Sequence, residues 1–238
     1  MAPSNRSQTI EVWLSLVERY VRDVEAGGSN PLTSTNKHVS DGCMLFCLLF
    51  SCSLVENGSP AVSDGKGMEA RRRKNMVGSC RIRQALPKDI DQIVKIYNSN
   101  AGFLQHHLGK ERIERSFVEQ EMKAMACAEF CSCVVEDMES GACAGVLDYR
   151  PGDCVYLSLL MLDAEYQRKG YGKACYTFFE QEMLRQGAHA VRIDVVDTYV
   201  GNAAPFWRKC GFSATKRAKL EWGGWQSEAV VMVKRLAV

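Results

Sequence analysis

From about residue 80 onward, apolar and polar positions switch repeatedly between a strand-like and a helix-like period. Cys80 to Ala85 alternates as a strand does. Pro87-Lys88-Asp89-Ile90 then opens a helix that keeps Ile90, Ile93, Val94 and Ile96 together through Tyr97. A loop is expected from Asn98 to Gly109 and a second helical stretch from Lys110 to about Ala126. Strands are expected at about Phe130 to Asp137 and at Cys143 to Arg150, forming a hairpin around Glu139-Ser140-Gly141. Val155 to Leu162 is the most apolar strand. A helix over Lys173 to Arg185, a strand over Ala190 to Val196 and a short helix over about Ala203 to Lys209 follow. Strands at Ser213 to Glu221 and Glu228 to Arg235 close the chain. The order β-α-α-β-β-β-α-β-α-β-β predicts an α/β fold of the mixed α+β kind. Its sheet should be mostly antiparallel, with six to seven strands clothed by helices.

Residues 1–79 read differently, as a weakly structured extension before a domain at 80–238. Their one convincing helix, near residues 10–24, has an apolar stripe of Ile10, Trp13, Leu14, Leu16, Val17, Tyr20, Val21 and Val24. One helix and one short apolar run cannot offset their own ordering entropy unless they dock on the rest. Another reading starts from Gly28-Ser29-Asn30-Pro31-Leu32-Thr33-Ser34-Thr35, which resembles the translated T-arm and CCA end of a transfer RNA gene. Arg72-Arg73-Lys74-Asn75 can be encoded by a purine-rich ribosome-binding stretch, which points to Met76 as the natural start. A genuine docking helix and a basic linker at Arg71 to Lys74 are the alternatives.

Lys plus Arg is 30 against 28 for Asp plus Glu, so a net charge of +2 argues for neither nucleic acid nor membrane as the main partner. The longest apolar run, Cys43 to Phe50, is far short of the roughly 20 residues of a membrane span. Eleven cysteines without a repeating interval read as reduced thiols of a cytoplasmic protein. No metal site is expected: Cys131 and Cys133 share one strand, and the four histidines lie far away in sequence.

Candidate chemistry concentrates at Gln167-Arg168-Lys169-Gly170-Tyr171-Gly172, between the most apolar strand and a helix. Gly170 and Gly172 let consecutive amides turn inward on one anion, the helix adds its positive N-terminal end, and Arg168, Lys169 and Lys173 add full charges. The spacing suits a pyrophosphate. It fails the dinucleotide fingerprint, because Cys175 stands at its third glycine and seven residues part strand from glycines. It fails the NTPase phosphate loop at Gln167 and Ala174.

Residues 80–238 resemble the GNAT superfamily of acyl-coenzyme A dependent N-acyltransferases. Gln167, Gly170 and Gly172 match that family's Gln/Arg-x-x-Gly-x-Gly/Ala loop, and Trp207 with Gly211-Phe212 matches its aromatic-x-x-x-Gly-Phe. The resemblance implies acetyl-coenzyme A as co-substrate, no metal, and a GNAT-like sheet whose fourth and fifth strands splay to admit the pantetheine arm. It places the coenzyme against Leu160, Met161, Leu162, Gln167, Arg168, Lys169, Gly170, Tyr171, Gly172, Lys173, Asn202 and Trp207, with the Leu162 amide facing the oxyanion. Two positions depart from the pattern. Asn202 lies five rather than seven residues before the aromatic, and Trp207 replaces a tyrosine that protonates the leaving thiolate.

Acyl transfer to an amine needs the amine neutral, although a lysine-like amine has a pKa of about 10.4. Asp197 is the candidate base and Tyr199 the nearest replacement hydroxyl, while Asp194 reads as an ion-pair partner of Arg192. Cys210 reads as core filler rather than a nucleophile. The acceptor, a small-molecule or peptide amine, should meet the Asn98 to Leu108 loop, with Phe103 and a water-exposed His106 and His107. It should also meet the turn Trp222-Gly223-Gly224-Trp225, whose tryptophans either clamp the acceptor or brace a hairpin. The expected function is acetyl transfer by direct attack in a ternary complex. A non-catalytic acyl-coenzyme A sensor is the alternative, and a homodimer is compatible with either.

Overall fold

The computed structural model describes residues 80–222 and 224–237. The expected helix near 10–24 and the start at Met76 lie outside the described residues. Seven strands form one sheet: β1 (Cys80–Gln84), β2 (Cys131–Asp137), β3 (Cys143–Arg150), β4 (Cys154–Leu162), β5 (Ala190–Val195), β6 (Ser213–Trp222) and β7 (Trp225–Arg235). Their spatial order is β1-β2-β3-β4-β5-β7-β6. Every neighbouring pair is antiparallel except β4 and β5, which run parallel.

Helices cover both faces because both faces are apolar. Helix α4 (Tyr171–Arg185) and the short α5 (Ala204–Lys209) cover one, burying Cys175, Tyr176, Phe179 and Trp207 against Leu147, Val155, Leu157, Val191 and Ile193. Helices α1 (Ile90–Asn98), α2 (Ala101–Leu108) and α3 (Arg115–Cys127) lie on the other, where Ile93, Ile96, Leu104, Leu108 and Val118 pack on Val134, Val146, Leu159 and Met161. None of the described helices is long and apolar enough to cross a membrane.

Strand β4 contributes Val155 and Leu157 to the first core but Leu159 and Met161 to the second. Strict alternation would keep all four on one face. The parity flips because Asp148 pairs with Leu159 and Tyr149 with Leu157, leaving Ser158 as the extra residue of a β-bulge.

Helix α2 stands where a loop was expected. Its residues, Ala-Gly-Phe-Leu-Gln-His-His-Leu, include poor helix formers, so tertiary contacts supply what propensity does not. Leu104 and Leu108 are buried one turn apart, and Gly109 ends the helix at φ 63° beneath the Trp225 ring. Residues 110–114, expected to be helical, precede α3 as irregular chain. Strand β7 starts three residues earlier than expected, at Trp225 opposite Trp222.

Candidate active site

After β4 the chain makes a short 3-10 turn, Ala164–Tyr166, capped by the Asp163 carboxylate accepting from the Glu165 amide at 3.0 Å. Arg168 (φ 59°) and Gly170 (φ 89°) then adopt left-handed conformations, and α4 begins. Left-handed residues set among ordinary ones turn successive amides to one side, the geometry of an anion nest. Among the described residues, no protein group accepts from any amide between Arg168 and Lys173. Those donors and the positive end of a 15-residue helix face the same space. A Cβ on Gly172 would meet only Phe206 at 3.5 Å and Leu162 at 3.8 Å, ordinary contacts, so no protein atom requires glycine there.

That space continues into a split in the sheet. Strands β4 and β5 pair only at Cys154–Ala190, Val155–Val191 and Tyr156–Arg192, and diverge beyond. The Asp163 amide donates to Ala144 O on the β3 side at 2.9 Å, so the alternation of hydrogen-bonding directions turns the Leu160 and Leu162 amides toward the split. A cavity of about 1220 Å³ runs from Gly170 and Gly172 past Leu160, Leu162 and Phe206 and through to Tyr97, Asp148 and Trp222 on the opposite face. An amide nest opening onto a half-unpaired parallel strand pair reproduces the arrangement expected of an acyl-coenzyme A site.

A family model described as the acetyltransferase (GNAT) family matches residues 91–212, just over half of the chain. The chain belongs to the GNAT family. It is an N-acetyltransferase. The solved structures that it resembles include a GCN5-related N-acetyltransferase from Rhodopseudomonas palustris, 23% identical with a TM-score of 0.53, covering 68% of this chain and 99% of that one. An acetyltransferase from Thermus thermophilus is 18% identical with a TM-score of 0.56, covering 67% and 99%. A GNAT superfamily phosphinothricin acetyltransferase from Sinorhizobium meliloti, in complex with AcCoA, is 17% identical with a TM-score of 0.51, covering 68% and 90%. At these identities the likeness is one of fold. A search of curated protein sequences found no match.

Within this GNAT domain the residues read from sequence fall into distinct places. Gly170, Gly172, Arg168, Lys173, Leu160, Leu162, Asn202 and Trp207 all line the cavity. Gln167 lines it too, but its side chain donates to Asn100 Oδ1 at 2.7 Å and Leu162 O at 3.1 Å, bracing the loop against the strand end. The Tyr171 hydroxyl donates to Asp137 at 3.1 Å, which leaves its backbone amide as its part of the nest. Lys169 is exposed beside the nest, and Met161 lines the cavity while packing into the α1–α3 core. Trp207 is buried against Tyr176, Phe206 and Phe212. Asn202 donates to the carbonyls of Asp197 and Tyr199 and accepts from the Ala204 amide, so its side chain holds the β5–α5 loop.

Asp197 is not brought into the cavity: Arg217 grips its carboxylate at 2.9 and 3.2 Å. Asp197→Asn should therefore leave kcat/KM within about threefold of wild type, as expected for an exposed ion pair. A loss of about 100-fold in the same steady-state assay would make Asp197 the base after all. Asp194 is paired with Arg192 at 2.9 and 3.0 Å, as expected. Tyr199 does line the cavity, and burial raises its phenol pKa, so it holds its proton at neutral pH.

His106 and His107 lie in the last turn of α2 rather than in a loop; His106 is exposed as expected, whereas His107 is not. His106 stacks on Tyr199 at 4.0 Å, and His107 is half-buried under Phe103. Burial lowers the His107 pKa to about 4, and its Nδ1 donates to Phe103 O at 3.0 Å, so it is neutral at pH 7. The two tryptophans divide the roles weighed for them. Trp225 braces α2 through Gly109, while Trp222 faces the cavity near Tyr97 and Phe103 and donates to Glu121 at 2.9 Å.

The sequence reading passed over Asp148, Tyr97 and Phe206. Asp148 is 9% exposed in the floor of the cavity, and burial pushes its carboxyl up to about 7 against a hydrogen bond from Ser132. Its signal was present as one acid inside the apolar strand run Ala144 to Tyr149.

Proposed function

We propose that this N-acetyltransferase moves an acetyl group from acetyl-coenzyme A to a primary amine by direct attack within a ternary complex, and that residues 80–238 carry the whole activity. The observation that carries this reading is the run of acceptor-free amides from Arg168 to Lys173 at the mouth of the β4–β5 split. The nest, with Arg168, Lys169 and Lys173, holds the diphosphate; the Leu160 and Leu162 amides hold the pantetheine arm as a neighbouring strand would. That pairing aims the thioester carbonyl at the split, with the Leu162 amide positioned for the developing oxyanion. The structurally similar phosphinothricin acetyltransferase in complex with AcCoA supports the choice of acyl donor.

The amine enters from the α1–α3 side, where aromatic rings line the cavity. Tyr199 is the hydroxyl placed to protonate the departing thiolate, the part that Trp207 cannot play. Thiol release from acetyl-coenzyme A, measured against a panel of primary amines, tests the proposal. The expected result is amine-dependent release. Tight binding without turnover of any amine would support an acyl-coenzyme A sensor instead, and absence of binding would sink both.

A further inference from the structure

The cavity does not end at the split. On the far face it reaches Asp148, on β3, within a wall of Tyr97, Phe130, Tyr156 and Trp222. Two carboxylates line the described cavity, Asp148 and Asp194. Asp194 is neutralised by Arg192, whereas among the described residues no lysine, arginine or histidine forms an ion pair with Asp148. Asp148 also sits at the bulge. It pairs with Leu159, its carbonyl accepts from Ser158 Oγ at 3.0 Å, and Leu160, whose amide faces the split, comes next on β4. Its backbone therefore lies about one strand spacing, ~4.8 Å, from the strand along which the pantetheine is held.

We propose that Asp148 is the base of the acceptor site, taking a proton from an ammonium group brought against β4, and that the acceptor is a basic amine with an apolar or aromatic body. This rests on the acetyl-transfer reading above. The protein meets the amine as R–NH₃⁺, which one buried carboxylate without a cation and several π-faces attract. One proton passes from nitrogen to the Asp148 carboxylate. The freed lone pair forms the C–N bond, and the C–S bond breaks with its electron pair on sulfur. The second nitrogen proton ends on the thiolate, and Asp148 returns its proton to water. The products are an amide, a thiol and one released proton. The ionisable groups around Asp148 are Tyr97 from α1, Glu121 from α3, Cys133 from β2, Arg150 on its own strand and Tyr156 from β4. Burial, then the charges of Asp148 and Glu121, hold the Tyr97 phenol well above its usual pKa, so it stays neutral. Glu121 is already held by the Trp222 indole N–H.

The test compares two acceptors on the full chain: 2-phenylethylamine, which is protonated at neutral pH, and phenylacetic hydrazide, which is not. For Asp148→Asn, kcat/KM with the amine should fall about 10²- to 10³-fold at pH 7 and recover as pH approaches the amine's own pKa, while the hydrazide loses less than about tenfold. Equal losses with both acceptors, or an unchanged pH profile, overturn the proposal. Should wild type turn over neither, the Asp148 carboxyl ¹³C resonance decides, assigned by its disappearance in Asp148→Asn. With coenzyme A present, a midpoint near neutral pH that moves on adding 2-phenylethylammonium supports the assignment. An ordinary carboxylate midpoint, or no response to the ammonium, overturns it. Calorimetry with coenzyme A separates the two levels of claim: a wild type that fails to bind it sinks the acetyl-transfer reading, whatever Asp148 does.

Discussion

Gly170→Ala is expected to weaken coenzyme A binding at least about tenfold and to destabilise the fold. At φ 89° a side chain costs about 1–2 kcal/mol of backbone strain as well as distorting the nest. Gly172→Ala should differ. The family loop takes Gly or Ala at that position, and nothing in the fold opposes the new methyl group, because its nearest neighbours are the Phe206 ring at 3.5 and 3.6 Å and a Leu162 methyl at 3.8 Å. Inside a helix, alanine is favoured over glycine by roughly 0.5–1 kcal/mol, so this variant should bind coenzyme A within about threefold of wild type and be as stable or slightly more so. Calorimetric titration with coenzyme A beside thermal unfolding separates these outcomes. A Gly170→Ala protein that binds coenzyme A like wild type would show that the nest does not serve the cofactor.

The second large effect concerns stability and pH. Asp148 has its carboxyl pushed from 3.8 to about 7 by burial. Below about pH 4 the folded and unfolded chains both carry this proton, and burial of the neutral acid adds no charge penalty. Between about pH 4 and 7 the unfolded chain gives the proton up and the folded one keeps it, so folding loses free energy as pH rises. Above about pH 7 the loss is complete, on the order of 4 kcal/mol for a shift of this size. Asp148→Asn lacks the titrating group. Its advantage over wild type in urea unfolding should therefore grow steadily from pH 4 to pH 8. A variant less stable than wild type at pH 8 would mean that the carboxylate holds the fold together. A group that destabilises the fold where it ionises, in the floor of the cavity, has the marks of one retained for function.

Several parts of the molecule were legible without coordinates because their causes are local. Gly170 beside a helix start, with cations on both sides, signals an anion nest from a few consecutive residues, and the structure builds one there. The order of strands and helices followed from period alone, apart from α2, whose helix depends on Trp225 and the buried Leu104 and Leu108 more than on its own residues. The bulge at Ser158 was hidden in an unbroken apolar run, in which either face of β4 would look the same. The setting of Asp197 was not legible in the sequence for a related reason. Position near a strand end made Asp197 look available, and only the fold brings Arg217 to it, 20 residues on.

The chain's linear order thus specifies a mixed sheet clothed by helices and an amide nest after its fourth strand, since periodicity and glycine conformation act over a few residues. The half-open β4–β5 pair, the aromatic wall and the isolated acid in its floor come from segments up to about a hundred residues apart, as Glu121 and Trp222 illustrate. Packing alone sets which of those groups meet and which carboxylate is left without a cation, because desolvation and ion pairing are properties of the assembled neighbourhood.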